Sequence, residues 1–149
     1  MAQGRAISAN ISSILAKIES DLEGVQKEFL TEVAEDIVQN SPVWTGRYVT
    51  SHSIGSGSAA GQFTGNIESP GQRTSVPEAY KAEARANLAG DIAALPPKAE
   101  RVYINNNSPH ANFVEYGTTR MAAHGVFSGV MSRAGIHLQT AVNKVKGGQ

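Results

Sequence analysis

Apolar side chains recur at three- and four-residue steps along the start of the chain: Ile7, Ile11, Ile14, Ile18, Leu22, Val25, Phe29, Val33 and Ile37, with Leu15, Leu30 and Val38 widening the stripe. Such spacing lines one face of an α-helix. Lys17, Glu19, Asp21, Glu23, Lys27, Glu28, Glu32, Glu35 and Asp36 fall mostly on the other faces. Neighbouring carboxylates such as Glu35 and Asp36 therefore read as solvated surface. Ser8 or Asn10 is the candidate N-cap, and Asn40-Ser41-Pro42 stops the helix, because proline disfavours a helical residue before it. About 30 residues rising 1.5 Å each make a rod of roughly 45 Å. That is long for a small domain, so one end is expected to project or to meet a neighbouring subunit. The spacing drifts from a strict heptad and includes Gly24, which favours packing on the domain's own sheet over a coiled coil.

Past the turn at Pro42 and Gly46, residues 48–54 have the β-branched and aromatic content of a strand. Residues 55–74, GSGSAAGQFTGNIESPGQRT, contain only Phe63 and Ile67 as large apolar side chains and read as a long loop. Loops of that length are commonly functional or ordered only against a partner. Ser75 and Glu78 have capping-box spacing, and Tyr80, Ala84, Leu88, Ile92 and Leu95 predict a second helix that Pro96-Pro97 ends. Residues 101–105 and 111–116 read as strands joined by the turn Asn106-Asn107-Ser108-Pro109. Phe127, Val130, Met131, Ala134, Leu138, Ala141, Val142 and Val145 predict a last helix, with Lys144 and Lys146 suiting its C-terminus. The predicted fold is a single α+β domain over residues 1–149. A long N-terminal helix and a C-terminal helix pack on one face of a small, mainly antiparallel sheet, and residues 55–99 form an inserted loop and helix.

Composition narrows the function. The 149 residues carry thirteen basic and thirteen acidic side chains. A nucleic-acid module needs a basic face to displace counterions from phosphates, so tight DNA or RNA binding is not expected. No cysteine is present, which excludes disulfides, thiolate catalysis and cysteine-based zinc sites. No apolar run approaches the ~20 residues of a membrane span, and MAQGRAISANISS lacks the apolar core of a signal peptide. A cytoplasmic product is expected. The histidines, His52, His110, His124 and His137, show no HExxH spacing. A metal site of His110, His124 and Glu115 stands as the sharper reading against surface or turn histidines. No G-x-S-x-G elbow is present, and Gly55-Ser56-Gly57-Ser58 lacks the lysine of a phosphate-binding loop. No enzymatic activity, cofactor or metal is expected. Trp44 reads either as a core residue or as an exposed interface anchor.

Two motifs stand in order between the first and last helices: SPVWTGRYVTSHSI and SPHANFVEYGTTRMAAHGVF. Together they resemble the neck, or tail-completion, proteins of tailed bacteriophages, of the lambdoid siphophage minor-tail type. In that family a P-x-x-TG segment follows a long amphipathic helix, and an E-(aromatic)-GT turn with a following arginine precedes a terminal helix. Pro42, Thr45 and Gly46 match the first motif, with Ser51 or Ser53 and Ile54 its tail. Pro109, Ala111, Val114, Glu115, Tyr116, Gly117, Thr118 and Arg120 match the second. Trp44 stands where the family usually has Asp, Tyr48 where it has Leu, and His110 where an aromatic is common. The Pro-Phe that follows the arginine in the family is replaced by residues 121–127, which contain no proline. Residues 55–99 fall outside the resemblance.

The resemblance implies a structural virion protein, made in the host cytoplasm, that forms a homo-oligomeric ring of six or twelve copies at the head-to-tail junction. Its partners would be the connector or head-closure protein on one side and the tail terminator or tail tube on the other, with DNA only passing through the lumen. The interface candidates are Pro42, Trp44, Thr45, Gly46, Arg47, Glu115, Tyr116, Gly117, Thr118 and Arg120. Glu115 is expected to pair with Arg120 or Arg47 across the turn or a subunit boundary, where complementary charge selects the right neighbour. A non-viral protein-binding module and a hydrolase with a scattered His/Glu site are the alternatives.

Overall fold

The computed structural model describes residues 2–56, 73–97 and 99–147, with side chains from Ser13 onward. The elements in chain order are α1 (Ala2–Asn40), α2 (Arg47–Thr50), β1 (His52–Gly55), α3 (Pro77–Ala93), β2 (Tyr103–Asn106), α4 (Ala111–Tyr116) and α5 (Val126–Gly147). The fold is α+β, dominated by its helices. Because α1 begins at Ala2, Ser8 and Asn10 lie inside it rather than capping it.

Helix α1 is the spine because two adjacent apolar rows face different neighbours. Leu30, Ala34 and Val38, at four-residue steps, meet Val49, Ile54, and Ala84, Leu88 and Ile92 of α3. Val33 and Ile37, one position round, join Tyr48, Val114, and Val126 and Val130 of α5. Ile37, Val38, Val49 and Leu88 are wholly buried. Each such side chain contributes about 1.5–3 kcal/mol relative to exposure, so the latter half of α1 anchors both layers. Helix α3 supplies core side chains although its segment lies outside the two sequence motifs.

Helix α5 runs antiparallel to α1. Arg133 and His137 reach Asp36, Lys144 reaches Glu32 and Glu28, and a Cβ on Gly24 would touch Val145 at 3.5 Å. Since α5 ends at Gly147, the part of α1 ahead of Gly24 runs on past it. Ile14, Leu15, Ile18 and Leu22 there are 58, 55, 49 and 64% exposed.

The sheet has two antiparallel strands, β1 and β2, in register from His52↔Asn106 to Gly55↔Tyr103. It departs from the expected three strands in two places. The first half of residues 48–54 is helical, because Gly46 at φ 93° starts a turn whose carbonyl accepts both the N–H (3.2 Å) and the hydroxyl (2.8 Å) of Thr50. Residues 111–116 form α4. There Ala111 and Val114, three apart, both face the core, while Phe113 and Tyr116 are exposed, which is the period of a helix and not of a strand. Residues 103–106 thus pair with β1, not with 111–116. The capping box at Ser75 does not form either. Val76 is the N-cap of α3 without a side-chain bond, and its own N–H is taken by Thr74 Oγ1 at 3.1 Å. Most of the expected 55–74 loop lies outside the described residues.

Candidate functional site

Pro42 ends α1 and turns the chain into one wall of a groove. Trp44 stands on this wall with 62% of its surface exposed, and the Arg73 guanidinium lies 5.3 Å above its ring. The Thr74 N–H donates to the Trp44 carbonyl at 2.6 Å, which ties the approach to α3 to the same corner. Gly46 must be glycine: besides its positive φ, a Cβ would stand 2.4 Å from the Tyr80 ring.

The opposite wall is α4 and the loop after it. Gly117 at φ 79° reverses the chain, and a Cβ there would meet the Ala123 nitrogen at 2.7 Å. The Thr118 N–H donates to Met121 O at 2.8 Å, while Thr118 Oγ1 accepts the N–H groups of Arg120 and Met121 at 3.2 and 3.1 Å. The His124 N–H donates to Val114 O at 2.8 Å, folding the loop back on α4.

Between the walls lies a groove of about 460 Å³. Tyr48 and Val114 form its buried base, Pro42, Trp44, Thr45 and Arg47 one side, and His110, Phe113, Thr118, Met121 and His124 the other. Among the described residues no acidic side chain lines it. The Tyr48 hydroxyl is buried and has no hydrogen-bond partner among the described residues. Burial, and then the nearby Glu115 charge, push its ionisation far above the ordinary range.

Glu115 has a different task from the one its sequence position suggests. Its carboxylate accepts the N–H of Phe127 (2.9 Å) and of Ser128 (2.9 Å). Those are free donors in the first turn of α5, and a negative charge is favourable at that end of a helix. Glu115 is therefore a cap supplied from eleven residues upstream of α5. It also stands outside the groove lining that His110 and His124 share. Among the described residues no three His, Asp or Glu side chains converge to hold a metal ion.

Two polar networks support the groove from behind. Asn106 Oδ1 accepts the Ser108 N–H at 2.9 Å, which orients the amide. Its Nδ2 then donates to Tyr48 O (2.8 Å) and to His52 Nδ1 (3.1 Å). With Nδ1 an acceptor, the proton sits on Nε2 and is donated to Ser41 Oγ at 2.8 Å, which in turn donates to Ile37 O at 2.6 Å. His52 is 4% exposed and edge-on to both Tyr48 and Phe127. Burial holds its pKa down to about 4, so it is a neutral spacer near neutral pH.

The second network centres on Asp36. This residue is buried, contrary to the solvated surface its neighbour Glu35 does occupy. Arg133 binds both its oxygens, His137 Nε2 lies 2.6 Å from Oδ2, and Asn40 Nδ2 donates to Oδ1 at 2.6 Å. These bonds, Arg133's foremost, outweigh desolvation and hold the carboxyl down to about 2.

Of the sequence candidates, the fold gathers Pro42, Trp44, Thr45, Arg47 and Thr118 around the groove. Gly46 and Gly117 shape its two walls, and Glu115 fixes α5 beside it. Tyr116 (78% exposed) and Arg120 are on the surface outside the lining. Trp44 is the exposed anchor rather than a core residue. Phe113 and Met121 were not singled out by sequence. Their signal was present as large apolar residues flanking the E-Y-G-T turn.

No family model, curated protein or solved structure matches the chain. No described helix is long and apolar enough to cross a membrane.

Proposed function

We propose that this chain is a structural subunit of a tailed-phage head-to-tail junction, assembling as a ring between the connector and the tail around the DNA channel. One observation carries the reading most of the way. The two stretches that resemble the family, separated by 53 residues, converge on one exposed, mainly apolar groove. An exposed apolar groove of this kind suits contact with another protein. Trp, Tyr, Met and Arg are the residue types enriched at protein interfaces, and Trp44, Tyr116, Met121 and Arg120 are all exposed around this corner. The uncovered apolar stripe at the start of α1 is a second surface of the same kind.

Catalysis is not part of the reading. The carboxylate that a hydrolytic site would need beside His110 and His124 is Glu115, and it is engaged by the backbone of α5. The whole chain is formally neutral. That suits a subunit past which DNA slides without being held.

The test is the mass of the purified protein by light scattering, alone and mixed with its connector, followed by imaging of any assembly. A closed ring, alone or recruited by the connector, is expected and supplies the copy number. A monomer indifferent to the connector would sink the assignment.

A further inference from the structure

We propose that the groove beside α4 receives the projecting first half of α1 from a second copy of the chain, joining copies head to tail. Three observations select this occupant. Ile14, Ile18 and Leu22 repeat at four-residue steps, with Leu15 beside them, and each is about half exposed or more. That is the anchor spacing of an amphipathic helix laid in a hydrophobic groove. The groove offers the reciprocal surface, with exposed Trp44 and Phe113 above buried Tyr48 and Val114. Charge agrees as well. Among the described residues no acidic side chain lines the groove, and Arg73 stacks on its Trp44, whereas this stretch of α1 carries Glu19, Asp21 and Glu23 against Lys17. Complementary charge steers and orders such encounters.

The helix cannot serve its own groove. Ile18 precedes Asn40, the last residue of α1, by 22 residues, which is about 33 Å along the axis. The groove begins just past that end, at Pro42. The contact is therefore made in trans between two different patches, and each added copy keeps one free helix and one free groove. Repetition closes a ring if the rotation between copies divides a full turn. This deepens the ring reading and rests on it for closure alone.

The chain's single tryptophan, Trp44, is in the groove wall and reports occupancy directly. Two full-length variants separate the patches, each altering exposed side chains, with circular dichroism to check the fold. Ile18→Asp/Leu22→Asp disables the helix and keeps Trp44; Trp44→Asp disables the groove and has no tryptophan signal. Each alone is expected to be monomeric. Titrating the tryptophan-free variant into the helix-disabled one is expected to shift Trp44 emission to the blue, saturating as a 1:1 dimer by light scattering. Adding Phe113→Asp to the helix-disabled variant should weaken that titration at least tenfold.

Absence of a shift on mixing would overturn the proposal. Self-association of the tryptophan-free variant would too, since the stripe would then pair with another α1. Emission already blue in the dilute helix-disabled variant would assign the groove to residues 57–72 of the same chain. A shift produced only by the connector would assign it to that protein. A wild-type ring with no shift defeats this contact and leaves the ring reading standing. A shift with a wild type that neither closes nor responds to the connector does the reverse.

Discussion

Arg133 and Asp36, 97 residues apart in sequence, are joined by two parallel bonds, Nε to Oδ2 at 2.8 Å and Nη2 to Oδ1 at 2.7 Å. The pair clamps α5 onto α1. Its two ends differ in solvation: the Asp36 side chain is 5% exposed and that of Arg133 42%. Removing the cation leaves a buried carboxylate with only His137 and Asn40 beside it, whereas removing the anion leaves an arginine that can turn to water. Arg133→Met is therefore expected to destabilise the fold more than Asp36→Ala. Urea unfolding of both variants reads the order directly; equal losses would mean that Asp36 is better solvated than its burial indicates.

Acid should destabilise the fold in two stages. His52 titrates at about 4 when folded against 6.5 as a free side chain. Between those values the unfolded chain binds the extra proton, so stability falls as pH drops from about 6.5 towards 4 and then levels off for this group. A shift of that size corresponds to about 3 kcal/mol. Asp36 stays ionised to about 2 against 3.8 when free. Its contribution is present above 3.8 and lost as pH falls from there towards 2. Unfolding midpoints measured across pH 7 to 3 should therefore decline well before ordinary carboxylates titrate. His52→Gln should flatten the upper part of that decline.

Glu115→Ala should cost about 1–2 kcal/mol, the range of a lost N-terminal cap. Glu115→Gln retains an acceptor oxygen but loses the charge, and is expected to recover part of the loss. Amide exchange at Phe127 and Ser128 checks the mechanism, because those two N–H groups should lose protection first. Protection unchanged in the Ala variant would remove the capping role.

Tyr48→Phe is expected to leave stability unchanged or raise it. The hydroxyl is buried without a partner among the described residues, and leaving such a group unsatisfied costs about 1–3 kcal/mol. The thermal midpoint decides. A clear fall would show that the phenol makes a bond that its present geometry does not include.

Much of the architecture was legible because long helices repeat their pattern many times. The rows Leu30-Ala34-Val38 and Val33-Ile37 stand in the sequence as one broad stripe, and Ala84-Leu88-Ile92 marks α3. Short elements were not legible in the same way. ANFVEY is six residues, too few to display a period, and its aromatic and β-branched content suggested a strand. The helix forms because Ala111 and Val114 must both reach the core while the loop beyond bonds back to Val114 O and Glu115 O.

By itself, then, the sequence determined an α+β domain with long terminal helices, breaks at Pro42, Pro96 and Gly117, no thiol chemistry and no excess charge. It also marked the residues now found around the groove. Only the tertiary structure decided that Asp36 is buried while Glu35 is not, and that His52 is a neutral link between Asn106 and Ser41. It alone revealed that Glu115 caps a helix, and that Trp44 faces outward. The reason is range. Periodicity and turn chemistry act between residues a few positions apart, whereas each of these outcomes depends on partners brought together from 11 to 101 positions away.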